Sequence, residues 1–160
     1  MAASSAEGVR ISHVAIAVAD LDASSRFYTE GLGFEAGPTF QSGDEVAAVS
    51  EIEPPVRMMS RYFTKDGFRL ELMAWETPPV QGSASRYRNR RGLTHLSFEV
   101  DDIVATEACL LALGGVALPD ARVRLDRQPA AISLVFLTDP DGTRIELLQR
   151  HAAPAASPSG

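Results

Sequence analysis

Four residues in this sequence have types and positions suited to chemistry: His13, Glu71, His95 and Glu146. Neutral imidazoles and carboxylates are good ligands for a divalent cation. Two of each leave an octahedral shell with room for two waters, or for a substrate that binds through two oxygens. Each sits in a stretch that alternates apolar and polar residues, so a half-buried strand with period two can aim it at one face. A single His in a strand, or a single Glu between leucines, is ordinarily structural. Here both recur together. The stretch from Arg10 through His13 to Asp22 is answered by Gly92 through His95 to Asp102, and Phe68-Arg69-Leu70-Glu71-Leu72-Met73 by Thr143-Arg144-Ile145-Glu146-Leu147-Leu148. Each carboxylate stretch also follows an Asp-Gly pair, Asp66-Gly67 and Asp141-Gly142. The two copies differ by about seven residues of insertion, a length that surface connections tolerate.

The elements that must carry these residues follow from the same pattern. In the first copy, Ile11 to Val18 predicts a strand with His13, Ala15 and Ala17 on one face, and a helix starts at Asp20 or Asp22 and stops at Gly31 to Gly33. Phe34 to Phe40 predicts an edge strand interrupted by Gly37 and Pro38. Val46 to Ile52 is able to pair as a strand, and Glu51, Glu53, Pro54 and Pro55 make a rigid acidic turn. A hairpin of Arg57 to Thr64 and Phe68 to Trp75 closes the copy. In the second copy the order is a strand at Leu93 to Val100, a helix from Asp102 to Leu113 and a short strand at Val116 to Leu118. An irregular stretch from Pro119 to Gln128 and a hairpin of Ala131 to Leu137 with Thr143 to Gln149 complete it.

The fold class is therefore α+β, with βαβββ modules at residues 10–76 and 92–150, an exposed linker at 77–91, a flexible N-terminus at 1–9 and a disordered tail at 151–160. Such an open sheet buries its concave side by pairing with a second one.

Composition narrows the function classes. With 160 residues, 45% hydrophobic and 22% charged, the chain has the make-up of a globular protein. Its net charge of −6 argues against nucleic acid or an anionic membrane as partner. No apolar run approaches a membrane span. A single cysteine, Cys109, excludes an intrachain disulfide and suits a cytoplasmic setting; its apolar neighbours predict a place in or near the core. The one basic cluster, Arg86, Arg88, Arg90 and Arg91, lies in the linker and reads as a solvated connection or as a patch for an anionic substrate or a partner subunit. Tyr62, Phe40, Phe63, Trp75 and Met59 are either core or the lining of an apolar pocket.

The phrases running from His13 to Leu21, Phe27 to Phe34, His95 to Ile103 and Asp139 to Leu147 resemble the vicinal oxygen chelate superfamily, also called the glyoxalase, bleomycin-resistance and dioxygenase superfamily. The resemblance spans Arg10 to Arg150. It implies paired βαβββ modules forming a U-shaped mixed sheet around a metal-binding cavity, and a homodimer. The family's ligand positions fall on His13, Glu71, His95 and Glu146, for a divalent ion among Ni, Co, Zn, Mn, Mg and Fe. The shared chemistry is chelation of a small oxygenated metabolite through neighbouring oxygens, with a metal-stabilised enolate. That implies a metal-dependent isomerase or lyase, glyoxalase-like or epimerase-like, whose base is a ligand carboxylate, Glu146 or Glu71. Epimerase-like members place a separate base near Glu51 or Glu53. Two alternatives are a binding protein that sequesters a drug or natural product, and a dioxygenase. The full ligand set disfavours the first, and the fourth ligand and the short chain disfavour the second. The segment after Glu71, Met73-Ala74-Trp75-Glu76-Thr77-Pro78, lacks the longer glutathione-site features of lactoylglutathione lyases, and the epimerases carry Gln where this chain has Glu71.

Overall fold

The computed structural model describes residues 8–126 and 130–151 and divides into two compact units. Of the described residues, the first holds 8–21 and 34–80, the second 22–33, 81–126 and 130–151.

In the first unit, β1 (Val14–Ala17), β2 (Glu35–Ser42), β3 (Arg57–Lys65) and β4 (Phe68–Thr77) form a sheet in the order β1-β4-β3-β2. β1 runs parallel to β4, with Ala15 beside Glu71; the other pairings are antiparallel. The hairpin turn has Asp66 and Gly67 at φ +50° and +77°, the doubly left-handed geometry that a two-residue connection between twisted strands requires. β2 is the edge strand, and its register skips from Ala36 opposite Phe63 to Thr39 opposite Arg61, leaving Gly37 and Pro38 bulged out against Tyr62. Proline costs least there because an edge strand needs no donor on its outer side. Glycine eases the fit, because a Cβ at 37 would come within 3.1 Å of the Tyr62 carbonyl oxygen. Phe63, Leu70 and Leu72 are fully buried in the core of this sheet, each contributing about 1.5–3 kcal/mol.

Val46 to Ile52 does not form a strand. Asp44–Val46 is a 3-10 turn leading into α2 (Ala47–Ser50), which follows α1 (Leu21–Arg26) in the chain. The Asp44 carboxylate accepts from the Val56 amide at 2.6 Å and so draws the segment into a closed loop. Glu51, at φ +56°, ends the helix.

In the second unit, β5 (Leu96–Glu99), β6 (Val116–Asp126), β7 (Ala131–Thr138) and β8 (Arg144–Arg150) repeat the topology in the order β5-β8-β7-β6, again with the first strand parallel to the last. β6 is longer than expected. Pro119 does not end it; the register skips between Ala117 and Arg122, opposite Phe136, and pairing resumes to Asp126. Gln128 and the tail beyond His151 lie outside the described residues, as do residues 1–7. α3 (Ile103–Ala112) starts at the predicted cap: Asp102 Oδ1 accepts from the amides of Val104 and Ala105, each at 3.0 Å. Cys109 is exposed rather than in the core, because the helix turns its neighbour Leu110 inward to full burial.

α1 and the π-helical turn that continues it, Phe27–Gly31, belong with the second unit. Phe27 and Tyr28 are fully buried, and a side chain at Gly31 would collide with Leu110. The Tyr28 hydroxyl donates to Asp139 at 2.9 Å, and the other Asp139 oxygen accepts from the amides of Asp141 and Thr143. Ser24 donates to Asp141 at 2.9 Å. Desolvation, followed by the Asp139 charge, holds Tyr28 well above its ordinary pKa. Burial raises Asp139, against the lowering effect of its donors. No helix among the described residues is long and apolar enough to cross a membrane.

Candidate metal centre

His13 stands one residue before β1 and points the way Ala15 does, towards Glu71 on the neighbouring parallel strand. Its Nε2 lies 3.2 Å from Glu71 Oε2, with the two side chains 31% and 10% exposed. His95 stands one residue before β5, and its Nε2 lies 3.6 Å from Glu146 Oε2, with exposures of 34% and 15%. Each half thus holds one imidazole–carboxylate pair. Among the described residues no group of three or more His, Cys, Asp or Glu side chains gathers.

The partners behind each pair are also duplicated. His13 Nδ1 is hydrogen-bonded to Ser12 Oγ and His95 Nδ1 to Thr94 Oγ1, both at 2.9 Å. With the hydroxyl side of each ring engaged, the Nε2 side is the one that meets the carboxylate, and such a bond to the remote nitrogen orients a metal-binding imidazole. Each ring also meets an aromatic edge: His13 with Tyr62 at a centroid separation of 5.4 Å, and His95 with Phe136 at 5.3 Å. Tyr62 and Phe136 are equivalent, since each pairs across the hairpin with the glutamate of its half.

The carboxylates are held differently. The Tyr62 hydroxyl donates to Glu71, and the tyrosine titrates above its ordinary value through desolvation first and the Glu71 charge and hydrogen bond next, with Arg69 opposing. Phe136 has no hydroxyl; Ser97, beside Glu146 on the parallel strand, donates to Glu146 Oε2 at 2.6 Å instead. The donor set of each half, one nitrogen and one carboxylate facing each other at the edge of solvent with both backed by hydrogen bonds, fits a divalent ion that favours N and O ligands.

Glu51 and Glu53 are exposed around the turn that follows α2, and among the described residues no contact joins Glu53 to His13 or Glu71. Phe63 is core, whereas Phe40 is half-exposed and meets the Tyr62 ring at 5.9 Å. Reading residue types alone missed the roles of Tyr62, Ser97, Ser12 and Thr94. Tyr62 was within reach, because counting three residues back from Lys65 and three forward from Phe68 across the Asp-Gly turn puts it opposite Glu71.

Comparison with known proteins agrees with the two-sheet fold. A relative named probable lactoylglutathione lyase from Vibrio parahaemolyticus is 29% identical over 146 residues, covering 91% of this chain and 94% of the relative. An ethylmalonyl-CoA/methylmalonyl-CoA epimerase from Cereibacter sphaeroides is 27% identical over 142 residues, covering 88% and 97%. The solved structure of a glyoxalase family protein from Bacillus cereus superposes with a TM-score of 0.77 at 20% identity, covering 93% of this chain and 99% of that one. The family profile matches residues 10–147, a span that takes in both His–Glu pairs and both sheets, and the chain belongs to the Glyoxalase/Bleomycin resistance protein/Dioxygenase superfamily.

Proposed function

We propose that this protein is a metal-dependent isomerase or lyase that moves a proton next to a carbonyl of a small oxygenated metabolite, with His13, Glu71, His95 and Glu146 as the metal ligands. The observation that carries the reading is the duplicated pair in which Nε2 faces a carboxylate while Nδ1 is engaged by the preceding hydroxyl residue. In the tautomer whose Nδ1–H donates to Ser12 or Thr94, each Nε2 lone pair is available to a cation. A divalent ion, when bound, supplies Lewis acidity to two neighbouring oxygens of a substrate. The names of the two curated relatives, a lyase and an epimerase, support the reaction class.

The chain's own groups then do the remaining work. Tyr62 and Ser97 hold one oxygen of Glu71 and Glu146 respectively, which leaves carboxylate capacity to take up or return a proton. The proposal assigns that proton to one of these two carboxylates rather than to Glu53, which stands apart on its exposed turn. Ala15 and Ala17 keep the β1 side of Glu71 free of bulk. A homodimer and a cytoplasmic setting complete the reading.

The test is to load purified protein with candidate divalent ions and follow exchange of a substrate proton next to a carbonyl with deuterated solvent. Diketone, 2-oxo acid and acyl-thioester substrates are offered in turn. Exchange that requires the ion and disappears in His95→Ala is expected. Turnover that persists after the ion is stripped ends the proposal. Absence of both bound metal and a metal-dependent thermal shift selects the sequestering protein instead.

A further inference from the structure

In each half a guanidinium lies over the aromatic ring that touches the histidine, and the two halves place it there by different routes. Arg69, two residues before Glu71 on β4, sits 4.4 Å from the Tyr62 ring centroid. Its counterpart two residues before Glu146 is Arg144, but that side chain turns away and donates from Nη2 to the Arg86 carbonyl at 2.6 Å. This bond anchors the linker, and two residues further on Arg88 lays its guanidinium over Phe136 at 4.6 Å. Both arginines are exposed, and among the described residues neither has a carboxylate partner. A guanidinium stacked by its face keeps its N–H edge free, the edge that forks onto carboxylate, phosphonate or phosphate oxygens.

We propose that Arg69, beside the His13–Glu71 pair, and Arg88, beside the His95–Glu146 pair, each offer an anchor to an anionic oxyacid group of a substrate that also carries chelating oxygens. The proposal rests on the metal-site reading above and narrows it to charged substrates. Either arginine acts one ring away from its imidazole, so it sets affinity and orientation and leaves the metal ligands intact.

The experiment uses full-length protein loaded with Mn2+ and two probes of equal chain length. One is 2-oxoglutarate, a chelating 2-oxo acid with a second carboxylate; the other is 2-oxopentanoate, which lacks that second charge. Calorimetry on wild type, Arg69→Gln, Arg88→Gln and the conservative Arg69→Lys and Arg88→Lys variants measures the preference, and bound Mn2+ is counted in each. Wild type is expected to prefer 2-oxoglutarate by about tenfold or more, as for a charge-assisted hydrogen bond. At least one Gln variant loses that preference while retaining Mn2+, and its Lys counterpart restores part of it. A repeat with a phosphonate in place of the second carboxylate identifies which oxyacid the arginines favour. Wild type and Gln variants that bind Mn2+ and show the same preference overturn the arginine proposal and leave the metal reading standing. Wild type that binds no Mn2+ overturns the metal reading, and this proposal with it.

Discussion

The two halves of the chain share a topology and a His–Glu pair, yet each secures its pair with different chemistry. In the first, a tyrosine across the hairpin holds the carboxylate; in the second, a serine on the adjacent parallel strand does so, and the residue across the hairpin is a phenylalanine. The first hairpin closes with the exposed Asp66-Gly67 turn, whereas the second closes through Asp139, which is fully buried and bonded to Tyr28 of the helical segment packed in its unit. The two halves share the facing imidazole and carboxylate and differ in the groups that support them. Ligand positions tolerate little displacement, while any donor that reaches the same oxygen orients a carboxylate equally well.

The largest test of this comparison removes the imidazole that both halves share. His95→Ala and, separately, His13→Ala are each expected to abolish turnover and divalent-ion binding, read by elemental analysis. Thermal melting should stay near wild type, because a third of each side chain faces solvent. Next is the asymmetry of the hairpin closures. Asp139→Ala strands the Tyr28 hydroxyl and two backbone amides and should cost about 3 kcal/mol in chemical denaturation. The matching change in the first hairpin, Gly67→Ala at φ +77°, meets no neighbour and should cost only about 1 kcal/mol.

Tyr62→Phe makes the first half resemble the second without supplying a serine. Metal affinity is expected to fall about 10–100-fold with little change in stability, and Ser97→Ala should do the same for Glu146. If both variants bind metal as wild type does, the two supports are incidental to the site.

The smallest effect concerns pH. Burial holds the Asp139 carboxyl above its ordinary value, so the folded protein keeps this proton after the unfolded chain has lost it. Asp139 should therefore make stability fall as pH rises from the ordinary carboxylate value through the raised one. Asp139→Asn should flatten that slope in denaturation curves taken across the acid range.

Several of these features were legible in the sequence for physical reasons. His13 and His95 each stand just ahead of a short strand and Glu71 and Glu146 lie within one, so period-two alternation and repetition exposed them without any knowledge of tertiary contacts. The Asp102 cap and the Asp66-Gly67 turn are encoded by residues that satisfy their own neighbours. Val46 to Ile52 was misread because its β-branched and small residues suit either state. Asp44 reaching the Val56 amide, a contact twelve residues away, decided for the helical loop. Cys109 was misread because mean apolarity over a helix does not say which side faces inward.

What the sequence determined by itself is local and periodic: which residues can ligate, which strands and turns carry them, and that the unit occurs twice. Packing alone decided that the segment of Asp22–Gly33 joins the second unit, that Asp139 is buried against Tyr28, and that Arg88 rather than Arg144 covers Phe136. Each of these joins residues far apart in the chain, and neither alternation nor turn chemistry specifies such partners. They follow only from how side chains pack once the chain has folded, as when Arg144 bonds the Arg86 carbonyl and Arg88 lies over the Phe136 ring.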